Sequence, residues 1–134
     1  MWRAPVRSEI LSCLALAMLA SPTRAEETKK PGTFVYFVAP RPGLLDQSTA
    51  TERQAISAHF DRLKQMLKDG TLILAGPTDP PTVGIVIFQA TDLTAAEAWA
   101  EADPAVQAGA FTLKSVEAFN LALERPSLGV GAGQ

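Results

Sequence analysis

The longest regular pattern in the chain runs from Ser48 to Gly76. Ile56, Phe60, Leu63 and Leu67 recur at intervals of four, three and four, which is one face of a helix with about 3.6 residues per turn. Asp61, Lys64, Gln65, Lys68 and Asp69 fall on the opposite side and are expected to face water. His59 and Met66 lie together on one margin of the apolar arc. Ser48, Thr49 or Thr51 is placed to cap the first amides, with Glu52 near the positive end of the helix dipole. Gly70 stands just past the last periodic residue, where glycine commonly ends a helix.

Four strands are expected around it. Residues 33–39 (TFVYFVA) and 83–90 (VGIVIFQA) are apolar on both alternating faces and predict strands buried on both sides. Residues 71–75 follow the long helix directly, and residues 111–119 form the last strand. Prolines and glycines mark loops at 40–45 and 76–82. A second helix is predicted over 93–102, capped by Asp92, with Leu93, Ala96 and Ala100 on its inner face and Trp99 to one side. Asp103 and Pro104 then read as the cap and first residue of a short helical turn ending at Gly109.

The order strand, helix, strand, strand, helix, strand is that of an α+β, ferredoxin-like split βαβ fold, with both helices on one face of the sheet. Two helices cover one face only, yet the first and third strands have no polar face. A homodimer through the open sheet face is therefore expected.

Composition changes the picture mainly at the N-terminus. With 134 residues and 47% hydrophobic content, the chain fits one globular domain. A formal charge of −2 and no basic stripe argue against a nucleic-acid partner. Arg3 and Arg7 precede an eleven-residue apolar run, residues 10–20, and Thr23 and Ala25 supply the small residues of a signal-peptidase site. Residues 1–25 thus read as a signal peptide cut after Ala25, the apolar run being short for a permanent membrane anchor. Residues 26–32 read as a linker, 33–120 as the domain and 121–134 as a flexible tail. Cleavage removes Cys13, the single cysteine, and leaves 9 basic against 13 acidic residues, a charge of −4. A thiol-free chain suits an oxidising compartment, so a periplasmic or secreted protein is expected.

Candidate chemistry centres on the single histidine. His59 alone reads first as a packed, singly hydrogen-bonded core residue and second as an acid–base group, since imidazole passes protons either way near neutral pH. Asp103 and His59 both fall on sheet-facing margins of their helices, so they are expected to converge. Asp103 also reads as a plain helix cap; a cap uses one carboxylate oxygen, so both roles coexist. Tyr36 offers either a phenol to a ligand or an aromatic body to packing, and Gly76 and Pro77 shape a turn that can line the same cleft. Ser57 precedes His59 by two positions and points elsewhere, against a Ser–His nucleophile. One histidine and no mature cysteine argue against a metal site, and no glycine-rich phosphate or dinucleotide fingerprint points to a cofactor.

As a set, several segments resemble the YciI-related (YCII) family of small dimeric α+β-barrel proteins. They are FVYFVA in the first strand, H-F-D-R-L from His59, D-G-T-L-I-L-A-G-P from Asp69, A-E-A-W-A-E-A-D-P from Ala96, and Gly109 with V-E-A-F from Val116. The resemblance implies that His59 and Asp103 form the active-site pair. The chain departs from the family pattern where Ile56 replaces a common arginine, where Ala118 replaces a frequent proline, and in carrying a leader. Two function classes follow: an enzyme using His59 and Asp103 for elimination, isomerisation or hydrolysis of a small molecule, and a non-catalytic dimer that binds a small ligand or partner.

Overall fold

The computed structural model of the chain describes residues 30–124. The expected leader, the linker up to Lys29 and the tail beyond Glu124 lie outside the described residues. The elements are β1 (Gly32–Pro40), α1 (Ala50–Asp69), β2 (Leu72–Pro77), β3 (Gly84–Ala90), α2 (Leu93–Glu101), α3 (Pro104–Gln107) and β4 (Phe111–Ala118). The strands form one sheet in the order β2-β3-β1-β4, and all three neighbouring pairs are antiparallel. This is the α+β, ferredoxin-like arrangement that the element order predicts, with the short helix α3 added before the last strand.

The core lies between the sheet and the helices. Phe34, Tyr36 and Val38 of β1 and Val86 and Phe88 of β3 point one way and meet Leu63 and Met66 of α1 and Ala96 and Ala100 of α2. The two alanines let α2 lie close against the sheet, and both are fully buried. Gly84 permits a similar approach, because a Cβ there would stand 2.9 Å from a methyl of Val38. On the other sheet face Val35 is buried and Phe37, Ile85 and Ile87 are half-buried, while β4 contributes Thr112, Ser115 and Glu117.

The start of α1 is fastened twice. Thr49 is the cap: its hydroxyl accepts from Glu52 N–H at 3.1 Å, and the Glu52 carboxylate accepts from Thr49 N–H at 2.8 Å. Arg41 then grips that carboxylate with Nε at 2.5 Å and Nη2 at 2.8 Å, while also donating to the carbonyls of Pro42 and Gln47. The loop after β1 is thereby folded back onto the helix it leads into. Gly70 ends α1 with φ at 77°, a left-handed conformation that glycine adopts without steric cost.

The structure corrects two expectations about helix faces. In α1 the buried residues are Glu52, His59, Leu63 and Met66, whereas Phe60 and Leu67 are 48% and 60% exposed. The helix is turned so that the margin predicted from periodicity becomes its centre. Apolar spacing counts carbon alone, and it assigns no value to a histidine that finds a buried carboxylate. In α2 Leu93 is exposed, so Ala96 and Ala100 alone make the inner face.

The capping box makes a direct prediction for stability. Thr49→Ala removes one acceptor from the first turn of α1 and lowers folding stability by about 1 kcal/mol. Urea denaturation reads this as a lower midpoint with an unchanged slope; a midpoint equal to wild type contradicts it.

Candidate active site

Three elements converge on one carboxylate. Asp103 caps α3, and its Oδ1 accepts from Ala105 N–H at 2.9 Å. Its Oδ2 accepts from the Tyr36 hydroxyl at 3.1 Å and lies 2.6 Å from His59 Nδ1. Asp103 is fully buried, and His59 and Tyr36 nearly so. Cap and pairing partner are thus roles of the same residue, one on each oxygen.

The environment sets the charges. Burial alone pushes the Asp103 carboxyl up. The hydrogen bond and charge of His59, with the Ala105 N–H and the Tyr36 hydroxyl, outweigh that and hold it below the usual carboxylate range. Burial, then the neighbouring Asp103 charge and hydrogen bond, push the Tyr36 phenol well up, so it stays a protonated donor. An ionised Asp103 can only accept, so His59 Nδ1 carries a hydrogen and donates. In the neutral ring this leaves the lone pair on Nε2, for which no described residue is a hydrogen-bond partner. The ring is held edge-on against Phe60 at 5.1 Å and Phe111 at 5.3 Å between centroids.

One further polar residue lies on this side of α1 and packs on α2, and the sequence reading missed it. Arg62 lies three positions after His59, hence on the same side of α1. Its Nη2 donates to the Trp99 carbonyl at 2.8 Å and its guanidinium lies 3.7 Å from the centre of the Trp99 ring. That stack covers one face of the Trp99 ring, which is otherwise partly exposed. Nη1 is buried with no partner among the described residues. Burial lowers the guanidinium's proton affinity, and the charge of Asp103 opposes that effect. The spacing from His59 was the available signal.

Gly76 and Pro77 lie elsewhere. They line an open apolar groove of about 520 Å³ between α1 and the β2–β3 side of the sheet, together with Ile56, Phe60, Leu67 and Leu74. His59, Asp103 and Tyr36 are not among its lining residues. Phe60 and Phe111 belong to both places, packing on the imidazole and forming groove wall. Tyr36, expected to face either a ligand or the core, does neither simply: its ring packs edge-on to Phe88 at 5.7 Å while its hydroxyl serves Asp103. Among the described residues no three His, Cys, Asp or Glu side chains gather into a metal-holding group.

Residues 33–120 match the family model of the YCII-related domain. The chain belongs to the YCII-related domain family. Within it, the chain is 40% identical over 72 residues to Protein YciI of Escherichia coli O6:H1, covering 46% of this chain and 74% of that protein. The same figures hold for Protein YciI of Shigella flexneri. An uncharacterized protein of Haemophilus influenzae is 33% identical over 96 residues, covering 64% of this chain and 94% of that protein. The YCII-type match spans β1 to β4 and so contains every residue of the cluster.

The depressed carboxyls predict how stability depends on pH. Asp103 sits below its ordinary 3.8. Glu52 is brought from 4.5 to about 2 by the Arg41 hydrogen bond and the Thr49 N–H. Both values are lower folded than unfolded, so the stabilisation they give is complete above the unfolded values and is lost as pH falls through the folded ones. Urea midpoints are expected to hold from neutral pH to about 5 and then drop steadily towards pH 2. Asp103→Asn and Glu52→Gln are each less stable at neutral pH and each lose less on acidification. Variants as acid-sensitive as wild type contradict the assignment.

Proposed function

We propose that this YCII-related protein is an enzyme in which His59 and Asp103 carry out acid–base chemistry on a small organic molecule, in an elimination, isomerisation or hydrolysis. The observation that carries this reading is the buried 2.6 Å contact from His59 Nδ1 to Asp103, with the other ring nitrogen bonded to none of the described residues. Asp103 orients the ring and stabilises the imidazolium that forms when Nε2 takes a proton. Tyr36 and Ala105 N–H keep the carboxylate aimed at Nδ1. The proton then leaves Nε2 for another atom of the substrate or its leaving group.

A second reading, a non-catalytic module that binds a small ligand, draws on the apolar groove, which is of a size suited to small molecules. The two readings part on one experiment. On a panel of aromatic and lactone compounds, His59→Ala lowers turnover by a factor of ~10² to 10⁴ while the protein still folds. Asp103→Asn lowers it less, because an amide still accepts from Ala105 N–H and holds the ring but no longer stabilises imidazolium. Ligand binding without turnover, unchanged in His59→Ala, favours the binding module and contradicts the enzyme.

We further propose export to the periplasm or beyond and a homodimer through the open sheet face. The first rests on the Arg3, Arg7 and Thr23–Ala25 signals, the second on the apolar Val35, Phe37, Ile85 and Ile87, which lie on the sheet face away from α1 and α2. Protein recovered from the periplasm is expected to have an intact mass beginning at Glu26 and to scatter light as a dimer, and Phe37→Asp to scatter as a monomer. A cytosolic species retaining Met1, or a wild-type monomer at micromolar concentration, contradicts the respective part.

A further inference from the structure

The groove between α1 and the β2–β3 side of the sheet has a chemistry of its own. Leu45, Phe60, Leu67 and Leu74 line it and are 48% to 70% exposed, so large apolar side chains gather there open to water. Among the described residues that line the groove, Lys64 carries the one charged side chain. None of the others carries a hydroxyl, amide, imidazole or carboxyl group. Lys64 follows Phe60 by four residues and precedes Leu67 by three, hence stands on their side of α1.

We propose that the groove binds a small apolar monocarboxylate, with the hydrocarbon body against the leucine and phenylalanine wall and the carboxylate at the Lys64 ammonium. The proposal deepens the small-ligand reading of the groove given above and rests on it. It requires no turnover and no particular charge on His59.

Desolvation sets the class. A sugar, a nucleotide or a free amino acid would give up water along its length and find no polar side chain in the apolar wall to replace it. A hydrocarbon body gains from the same transfer and covers the exposed leucines as it enters. One polar group is accommodated, at Lys64, and the lysine fixes its sign as negative. With no second cation among the described lining residues, the site matches a single negative charge better than the dianion of a phosphate ester.

The present partner of Lys64 does not stand in the way. Nζ donates to Asp61 Oδ1 at 3.3 Å, and the two side chains are 71% and 70% exposed. An ion pair so open to water holds weakly and exchanges readily for another carboxylate. Asp61 is not among the lining residues, so no anion in the described wall repels the ligand.

Calorimetric titration of the full chain with straight-chain probes tests the proposal. Affinity is expected to rise about fourfold per added methylene from butanoate through hexanoate to octanoate. Octanoate is expected to bind more tightly than octanol, and octylamine least tightly. Lys64→Met keeps an apolar stem, and is expected to weaken octanoate about fivefold while leaving octanol unchanged. Added salt is expected to weaken octanoate, and not octanol, in the wild-type protein. Leu67→Asp is expected to abolish binding of every probe. Both side chains are more than half exposed, so neither variant threatens the fold. Octanol or octylamine binding as tightly as octanoate, or octanoate indifferent to both Lys64→Met and salt, overturns the carboxylate class. If Leu67→Asp still abolishes that binding, the small-ligand reading of the groove stands without it. No binding by any probe overturns both, and a light-scattering mass that halves in Leu67→Asp then gives the groove to a second copy of the chain.

Discussion

A carboxylate shut away from water has to be answered by donors, and the Asp103 carboxylate is answered from three parts of the chain. Tyr36 reaches it from the first strand, His59 from the long helix, and Ala105 N–H from the helix that Asp103 itself begins. An uncompensated buried charge costs several kcal/mol, so these three elements cannot be moved independently. The turn between α2 and α3, the rotation of α1 about its axis and the aromatic position in β1 are fixed together by one side chain. Packing alone would leave each more latitude, since hydrophobic contact is non-directional and hydrogen bonds are not.

The rotation of α1 has a second consequence. Turning His59 inward carries Phe60 and Leu67 out of the core, where they form one wall of the apolar groove. The His59–Asp103 pair and the groove are therefore two results of the same packing decision, with Phe60 and Phe111 as their common boundary.

Much of the fold was legible in the sequence because strands and helices differ in period. The two-faced apolar strands at 33–39 and 83–90 and the four-three-four spacing from Ile56 to Leu67 specify the element order, and the order narrows the topology to few choices. Asp103 before Pro104 was legible as a cap, and His59 stood out as the single histidine. The depth of His59 was not legible, because apolar periodicity points at Phe60 and Leu67 and takes no account of a polar pair formed 44 residues apart. The link from Tyr36 to Asp103, 67 residues apart, has no local trace at all. Arg62 had one, its spacing from His59, but its stack on Trp99 depends on α2 packing beside α1. Glu52 was read for the helix dipole, although Thr49 and Glu52 at that spacing also spell a capping box whose partner Arg41 only the folded loop reveals.

The central claim is that Asp103 accepts a hydrogen bond from His59 Nδ1–H and leaves Nε2 free to accept a proton. Long-range nitrogen–proton correlation NMR of the single histidine reads its tautomer directly. Measured where the ring is neutral, the account predicts the hydrogen on Nδ1, shifted far downfield by the short bond to the carboxylate and moved back in Asp103→Asn. A ring protonated at Nε2 in the wild-type protein, with Nδ1 bare towards Asp103, would contradict it.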